Sequence, residues 1–416
     1  MKKEFETVRR SLGRKILCSI LAAGICGSAS LALAANNGGE TIIINDGWRD
    51  NLTYAGNNGT GNNNEVYFDT NDGNNGIDVI SGYAVSGDAN SNYVTVNGTE
   101  VRSIYGGYAK DGDATYNSVT VKGTESGGVY GGYTEQGDAT YNSVIISDGS
   151  YVTSEIHGGY ASKGSANNNS VIVNDSIAFK IYGGQADNGA DYNSLAVHNS
   201  KIINDIYGGF TNEGSANNNS VVISDSIADK TAVAHFICGG YVQNANGTAN
   251  NNNVVIIDST VYGSIVGGHA GDGGTVDNNS VTIVGNSNLT DAKLYGKNNG
   301  ATGTGNKLII DGWSGEVKSI NNFDKIQVES LAGGLNLKEG EKFDFVTVTE
   351  SNSISGTIEN ADVTGIKAGV ALEVDGTLGI DGNNINIDVE HIRAQEQTGI
   401  TTEARAGVTS STRERK

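Results

Sequence analysis

Two sets of aromatic residues recur at near-constant spacing along this 416-residue chain. Tyr105, Tyr130, Tyr182 and Tyr207 form one set; Tyr108, Tyr133, Tyr160, Phe210 and Tyr241 form the other. Rings repeated in this way have two uses. They stack on one another as internal support, or they lie exposed as a strip that holds sugar rings or protein side chains. Strand alternation counted from Ile104 points Tyr105 outward and Tyr108 inward, provided the intervening glycines keep the parity. The Tyr105 set is therefore the candidate ligand-contact strip.

The remaining reactive side chains assemble no familiar catalytic set. Of the five histidines, His157 and His269 stand where other copies carry large side chains, and they read as substitutions within a stack. There is no HExxH, paired CxxC, phosphate loop or GxSxG elbow, and the many glycines of the array read as repeat turns. Carboxylates such as Asp111, Asp113 and Asp175 could at most make a loose Ca²⁺ site; solvated turn residues are the simpler reading. Arg49 and Arg102 are the only arginines between residue 34 and His391, so a carboxylate-plus-arginine lyase site is poorly supplied. No catalytic residue, metal or cofactor is assigned. The alternative kept open is a β-helix enzyme acting on polysaccharide.

The elements that would position the rings are plain in the sequence. Isoleucine or valine, a variable residue and two glycines recur, with the second glycine at 107, 132, 159, 184, 209, 240 and 268 and a weaker copy at 82. The steps are 25, 25, 27, 25, 25, 31 and 28 residues. In phase runs NSVTV from Asn117, with copies from Asn92, Asn142, Asn169, Asn193, Asn219, Asn253, Asn279 and Asn306 and a looser one from Asn64. In each copy the Asn and two apolar residues share one face, which predicts a strand with that face buried. The stacked asparagines then form an amide ladder. The glycine pair suits either a tight bend or a close backbone approach.

One such unit cannot bury its apolar face alone, whereas ten stacked at about 4.8 Å give a rod of about 45–50 Å. Each buried Val or Ile contributes roughly 1.5–3 kcal/mol. The absence of proline agrees with uninterrupted ladders. The expected fold is all-β: a right-handed parallel β-helix of about ten coils of ~25 residues, with a C-terminal β cap region. The long step predicts an insertion of roughly six residues, somewhere within Ser224–Phe236, that loops out of the stack. Outward positions of the NSV strand are Thr95, Thr120, Ile145, Ile172, Ala196, Val222 and Thr282, too irregular for a threonine array but apolar enough for self-association.

The ends differ from the array. A basic segment, an apolar small-residue run and Ala32-Leu33-Ala34 make residues 1–34 an expected signal peptide. Residues 35–75 read as an N-terminal cap and degenerate first coil, 76–312 as the repeat domain, 313–390 as the cap region, and 391–416 as helix, linker or a barrel entry. Removing 1–34 takes six of 27 basic and two of 47 acidic side chains, leaving 21 and 45, a formal charge of −24. Such a polyanion disfavours nucleic acid and anionic lipid. Cys238 remains alone, so no internal disulfide is expected.

The signal, the Asn/Gly-rich repeat, the strings INNFDKIQV and GVALEVDGTL, and AQEQTGITTEARAG at 394–407 together resemble the passenger portion of a type V autotransporter, a Gram-negative surface protein. The resemblance implies export, surface display and an adhesive or structural role, with host or neighbouring-cell glycans or proteins as partners. It also implies membrane attachment through a C-terminal barrel. No barrel strand follows in this sequence, so the expectation is a chain truncated or frame-shifted relative to a full-length parent.

Overall fold

A computed structural model describes residues 41–44, 52–54, 61–69, 77–98, 100–228, 236–313 and 315–330, and strand segments between 335 and 400. The expected signal peptide and most of the expected N-terminal cap lie outside the described residues.

The chain is an all-β solenoid of about nine turns with parallel stacked strands and no helix among the described residues. Each coil contributes one strand to each of two parallel sheets. The first sheet carries the NSV strands: Glu65–Asp69, Tyr93–Asn97, Ser118–Lys122, Ser143–Ser147, Ser170–Asn174, Ser194–His198, Ser220–Ser224, Asn253–Ile257, Ser280–Val284 and Lys307–Asp311, paired in that order. The second carries the glycine-pair strands, such as Glu100–Ala109, Glu125–Thr134 and Tyr151–Ala161. Like meets like across the coils: Ile104 pairs with Val129, Tyr105 with Tyr130, and Gly107 with Gly132.

Alternation explains the core. In Ser118–Lys122, Val119 and Val121 are fully buried while Ser118 and Thr120 face outward. Such pairs from every coil, with Ile104, Val129, Ile156, Ile181, Ile206, Ile237 and Ile265 from the other sheet, form one continuous apolar column. Two corners flank each NSV strand, and both use the left-handed backbone region. The residue before the ladder Asn has φ between 55° and 59° in nine coils, from Asn63 to Asn278. From Tyr93–Asn97 to Lys307–Asp311, the residue after the strand is Gly, Asp or Asn with positive φ, for example Gly123, Asp175, Asn199 and Asp258.

The amide ladder is continuous from Asn64 to Asn306. Asn169 shows the unit: its Oδ1 accepts from the Asn142 backbone N–H at 2.9 Å and from Asn142 Nδ2 at 3.0 Å. Its Nδ2 donates to Ala139 O at 2.9 Å and Asn193 Oδ1 at 3.1 Å. Every amide points the same way, and the last donor, Asn306, meets the Asp324 carboxylate, an acceptor-only terminus. A parallel hydroxyl ladder runs through Ser176, Ser200, Ser226, Ser259 and Ser287. It ends where buried Trp313 donates to Ser287 O at 2.7 Å.

The ladder explains the glycines. A Cβ on Gly184 would lie 2.3 Å from Ala166 O and 2.6 Å from Asn193 Nδ2, and Gly107, Gly132, Gly159 and Gly209 face the same obstruction. Close approach is therefore the role of the pair, and the GG and NSV strings recur together because the amide packs on the glycine.

Three sequence expectations differ from the structure. In the coil containing NVVII, the ladder amide is Asn252; Asn253 pairs with Ser220 and faces outward, so Val255 joins the outward column. The adjacent Asn252-Asn253 pair hid the frame. The insertion falls inside the expected interval: Ile227–Ala228 pairs with Lys201–Ile202 and Phe236–Val242 returns in register with Ile206–Thr211. The additional residues fall in 229–235, outside the described residues. Residues 391–400 are not helix or linker: they belong to the strand Asn384–Ile400, antiparallel to Ile354–Asp362 and Ala368–Asp381. A register shift between Asp375 and Gly376 adds one residue opposite, at Glu390, which breaks the alternation that would otherwise mark the strand. The third difference is at Tyr108, which is partly exposed.

Parallel stacking also continues past residue 312, since Lys307–Asp311 pairs with Lys325–Ser330 and Leu289–Lys297 with Gly315–Asn321.

Candidate ligand-contact face

The second sheet carries both aromatic columns on its outer side. Parity does not hold through the glycine pair: in Glu100–Ala109, Gly106 and Gly107 are consecutive buried residues, and Gly106 falls outside the coil-to-coil pairing. Tyr108 therefore does not face the core as expected. It lies beside Tyr105, ring centroids 5.7 Å apart and edge to face. Every coil carries the same local slip, so the register between coils survives.

The four residues of the candidate strip stand in one column, interrupted by His157. Tyr105 stacks on Tyr130 at 4.8 Å, Tyr130 on His157 at 4.8 Å, His157 on Tyr182 at 4.8 Å and Tyr182 on Tyr207 at 5.3 Å. Tyr105 and Tyr130 are partly exposed, whereas Tyr182 and Tyr207 are buried, as are Cys238 and Val266 further along. The neighbouring column is partly exposed throughout: Tyr83, Tyr108, Tyr133, Tyr160, Gln185, Phe210, Tyr241 and His269. Its rings stack at 4.7 Å (Tyr108–Tyr133), 4.9 Å (Tyr133–Tyr160), 5.0 Å (Phe210–Tyr241) and 4.3 Å (Tyr241–His269). Accessible aromatic surface is thus concentrated in the Tyr108 column, with Tyr105 and Tyr130 beside it. Sequence reasoning divided the columns the other way.

Charged groups from three coils meet the strip at its middle. His157 Nε2 lies 3.2 Å from Glu155 Oε2, and Lys180 Nζ lies 3.8 Å from Asp205 Oδ2. Lys180 also sits over the Tyr182 and Tyr207 rings, 4.9 and 5.4 Å from their centroids. Full burial pushes the His157 pKa down despite the neighbouring carboxylate. The neutral ring then donates from Nε2 to Glu155 and leaves Nδ1 as a buried acceptor without a partner among the described residues. That hydrogen bond in turn holds the Glu155 pKa low. Burial raises the tyrosine pKa values along the column, Tyr130, Tyr182 and Tyr207 most, so these hydroxyls stay protonated. Burial also raises the Cys238 thiol, which is free and inert.

The turn carboxylates have structural work. Asp88 Oδ1 accepts from the Asp113 N–H at 2.9 Å, Asp113 Oδ1 from Asp138 N–H at 2.8 Å, and Asp138 Oδ1 from Ser165 N–H at 2.7 Å. Among the described residues no group of three or more His, Cys, Asp or Glu side chains is placed to hold a metal ion.

No protein-family model, curated protein or solved structure matches the chain.

Proposed function

We propose that this protein is an exported surface module, a rigid β-solenoid stalk that adheres through the aromatic face of its second sheet. The observation carrying the proposal is the partly exposed column from Tyr83 to His269, aromatic except at Gln185 and flanked by Tyr105 and Tyr130. Rings at a fixed spacing on a hydrogen-bonded scaffold lose little entropy on contact and present a repeated apolar surface. The autotransporter-like signal and C-terminal strings support export and display. The high negative charge argues against nucleic acid as a partner. Host or neighbouring-cell glycans or proteins are the partners that fit, and the outward run of Ile145, Ile172 and Ala196 on the first sheet offers a place for self-association.

Paired substitution of Tyr105→Ala and Tyr130→Ala tests the face, with cell or ligand binding as the readout and sheet circular dichroism as the control for folding. Reduced binding with folding intact is expected; unchanged binding contradicts the role of the strip. Export is tested by N-terminal sequencing of the product from a Gram-negative host, expected to begin at Ala35. A second reading, a polysaccharide-acting enzyme, has one observation in its favour, the convergence of Glu155, His157, Lys180 and Asp205. New reducing ends or chain scission by the wild type, lost in Lys180→Met, would support it.

A further inference from the structure

A third aromatic column stands away from the strip, at the corner that leads into the first sheet. The positions preceding the ladder amides are Tyr116, Tyr141, Asn168 and Tyr192 in four consecutive coils. Their backbones are in register: Tyr141 N–H donates to Asn167 O at 3.1 Å, Asn168 N–H to Asp191 O at 3.0 Å and Tyr192 N–H to Asn217 O at 2.9 Å. All four have φ of 57–59°, a conformation that suits Asn and Gly and is unfavourable for tyrosine. Elsewhere this corner carries Asn63, Ser91, Asn218, Asn251, Asn278 and Gly305. Three tyrosines held in an unfavourable backbone with their rings in solvent have no role in the core.

The exposures show how the rings are arranged. Tyr116 and Tyr141 stack at 5.0 Å with 6° between planes, and they are 53% and 39% exposed. Tyr192 has no stacked neighbour among the described residues and is 60% exposed. Between Tyr141 and Tyr192 stands Asn168, one coil from each. Two coil spacings make that gap about 9.6 Å. A single ring fills a two-coil gap elsewhere in this fold: His157 stands between Tyr130 and Tyr182, 4.8 Å from each. A pyranose, with C–H groups on its faces and hydroxyls on its rim, fits the gap between Tyr141 and Tyr192 in the same way. At its base, Asn167 Oδ1 and both Asp191 carboxylate oxygens are occupied by the next coil. The Asn168 side-chain amide, by contrast, has no hydrogen-bond partner among the described residues, and it offers one donor group and one acceptor.

We propose that this gap is a saccharide slot, in which Tyr141 and Tyr192 cover the two faces of one pyranose and Asn168 binds its hydroxyls. The slot is separate from the strip on the second sheet and does not depend on that face having a ligand. It deepens the adhesive reading only by naming pyranose glycans as a ligand class.

The test is binding of the purified full chain to an array of pyranose-containing oligosaccharides, with the best ligand then titrated by calorimetry. Tyr141→Asn, Tyr192→Asn and Asn168→Gly place residues favoured by the corner geometry, so unfolding midpoints should stay level or rise. Each should weaken saccharide binding at least tenfold. Tyr116→Asn, outside the slot, should change it less than threefold. Failure of the wild type to bind any array saccharide would overturn the inference, as would binding of an aromatic-rich peptide in its place. Saccharide binding that survives Tyr141→Asn and Tyr192→Asn but is lost in Tyr105→Ala with Tyr130→Ala would move the site to the strip. That result overturns the slot and leaves the adhesive reading standing.

Discussion

Replacing Asn169 with alanine should be among the most damaging single changes to this fold, although it deletes only a small polar group. The side chain makes four hydrogen bonds, two to Asn142 and one each to Ala139 O and Asn193 Oδ1. The two acceptors it leaves are the lesser loss, since Asn193 Oδ1 still receives the Asn169 backbone N–H at 2.9 Å. The two donors are the serious loss: the Asn142 backbone N–H and one hydrogen of its Nδ2 lie buried away from bulk solvent. An orphaned buried donor costs roughly 1–3 kcal/mol, so the pair should cost about 2–6 kcal/mol. Urea denaturation of wild type, Asn169→Ala and Asn168→Gly would measure it, with Asn168→Gly expected within about 0.5 kcal/mol of wild type because glycine suits that backbone. Amide hydrogen exchange at Asn142 should accelerate at least tenfold in Asn169→Ala. A loss below about 1 kcal/mol, or unchanged exchange at Asn142, would refute the claim that the amide ladder holds the coils together.

Two further perturbations follow from the same geometry. Gly184→Ala, whose Cβ would meet Ala166 O and Asn193 Nδ2, should lose about 1–3 kcal/mol, while Gly189→Ala, with nothing closer than 3.7 Å, should be neutral or slightly stabilising; equal thermal midpoints would contradict the close-approach reading. His269 is held neutral, its pKa pushed down by burial to about 4, whereas the unfolded side chain titrates near 6.5. Between those values the unfolded chain binds a proton that the folded chain does not, so stability falls as pH drops through the window, by up to about 3 kcal/mol. His269→Phe keeps a ring against Tyr241 and should lose less stability between pH 7 and pH 4; identical losses in the two proteins would contradict it.

The sequence made the architecture legible for a physical reason. In a solenoid each position meets only its own copies, so periodicity along the chain reports neighbours in space directly, and the Asn117 ladder and Val119/Val121 core follow from it. The site was harder to read. The parity that places Thr120 outward fails at Tyr108, because Gly106 and Gly107 are both buried against the neighbouring backbone and Asn117. Alternation is a property of a regular strand, and glycine removes the side chain that would reveal the slip. The burial of Tyr182 and Tyr207 against Phe210, Phe236 and Tyr241 depends on which ring occupies the next column, a two-dimensional fact that no single period carries. The Tyr116–Tyr141 corner stack was equally hidden, yet one signal was present: tyrosine alternates there with Asn and Gly, residues that share little except tolerance of positive φ.

The most direct test of the stacked architecture is a ruler built from spin-label pairs at outward positions of the first sheet. Thr95, Thr120, Ile145, Ile172, Ala196, Val222, Val255 and Thr282 lie one above another in paired register. Labels at Thr95 and Thr282 should therefore give a narrow distance distribution near 34 Å, seven spacings of about 4.8 Å. Moving the first label to Thr120 and then to Ile145 should shorten it by about 4.8 Å each time, although each move crosses 25 residues of chain. Broad distributions, or steps that do not track one strand spacing per coil, would contradict it.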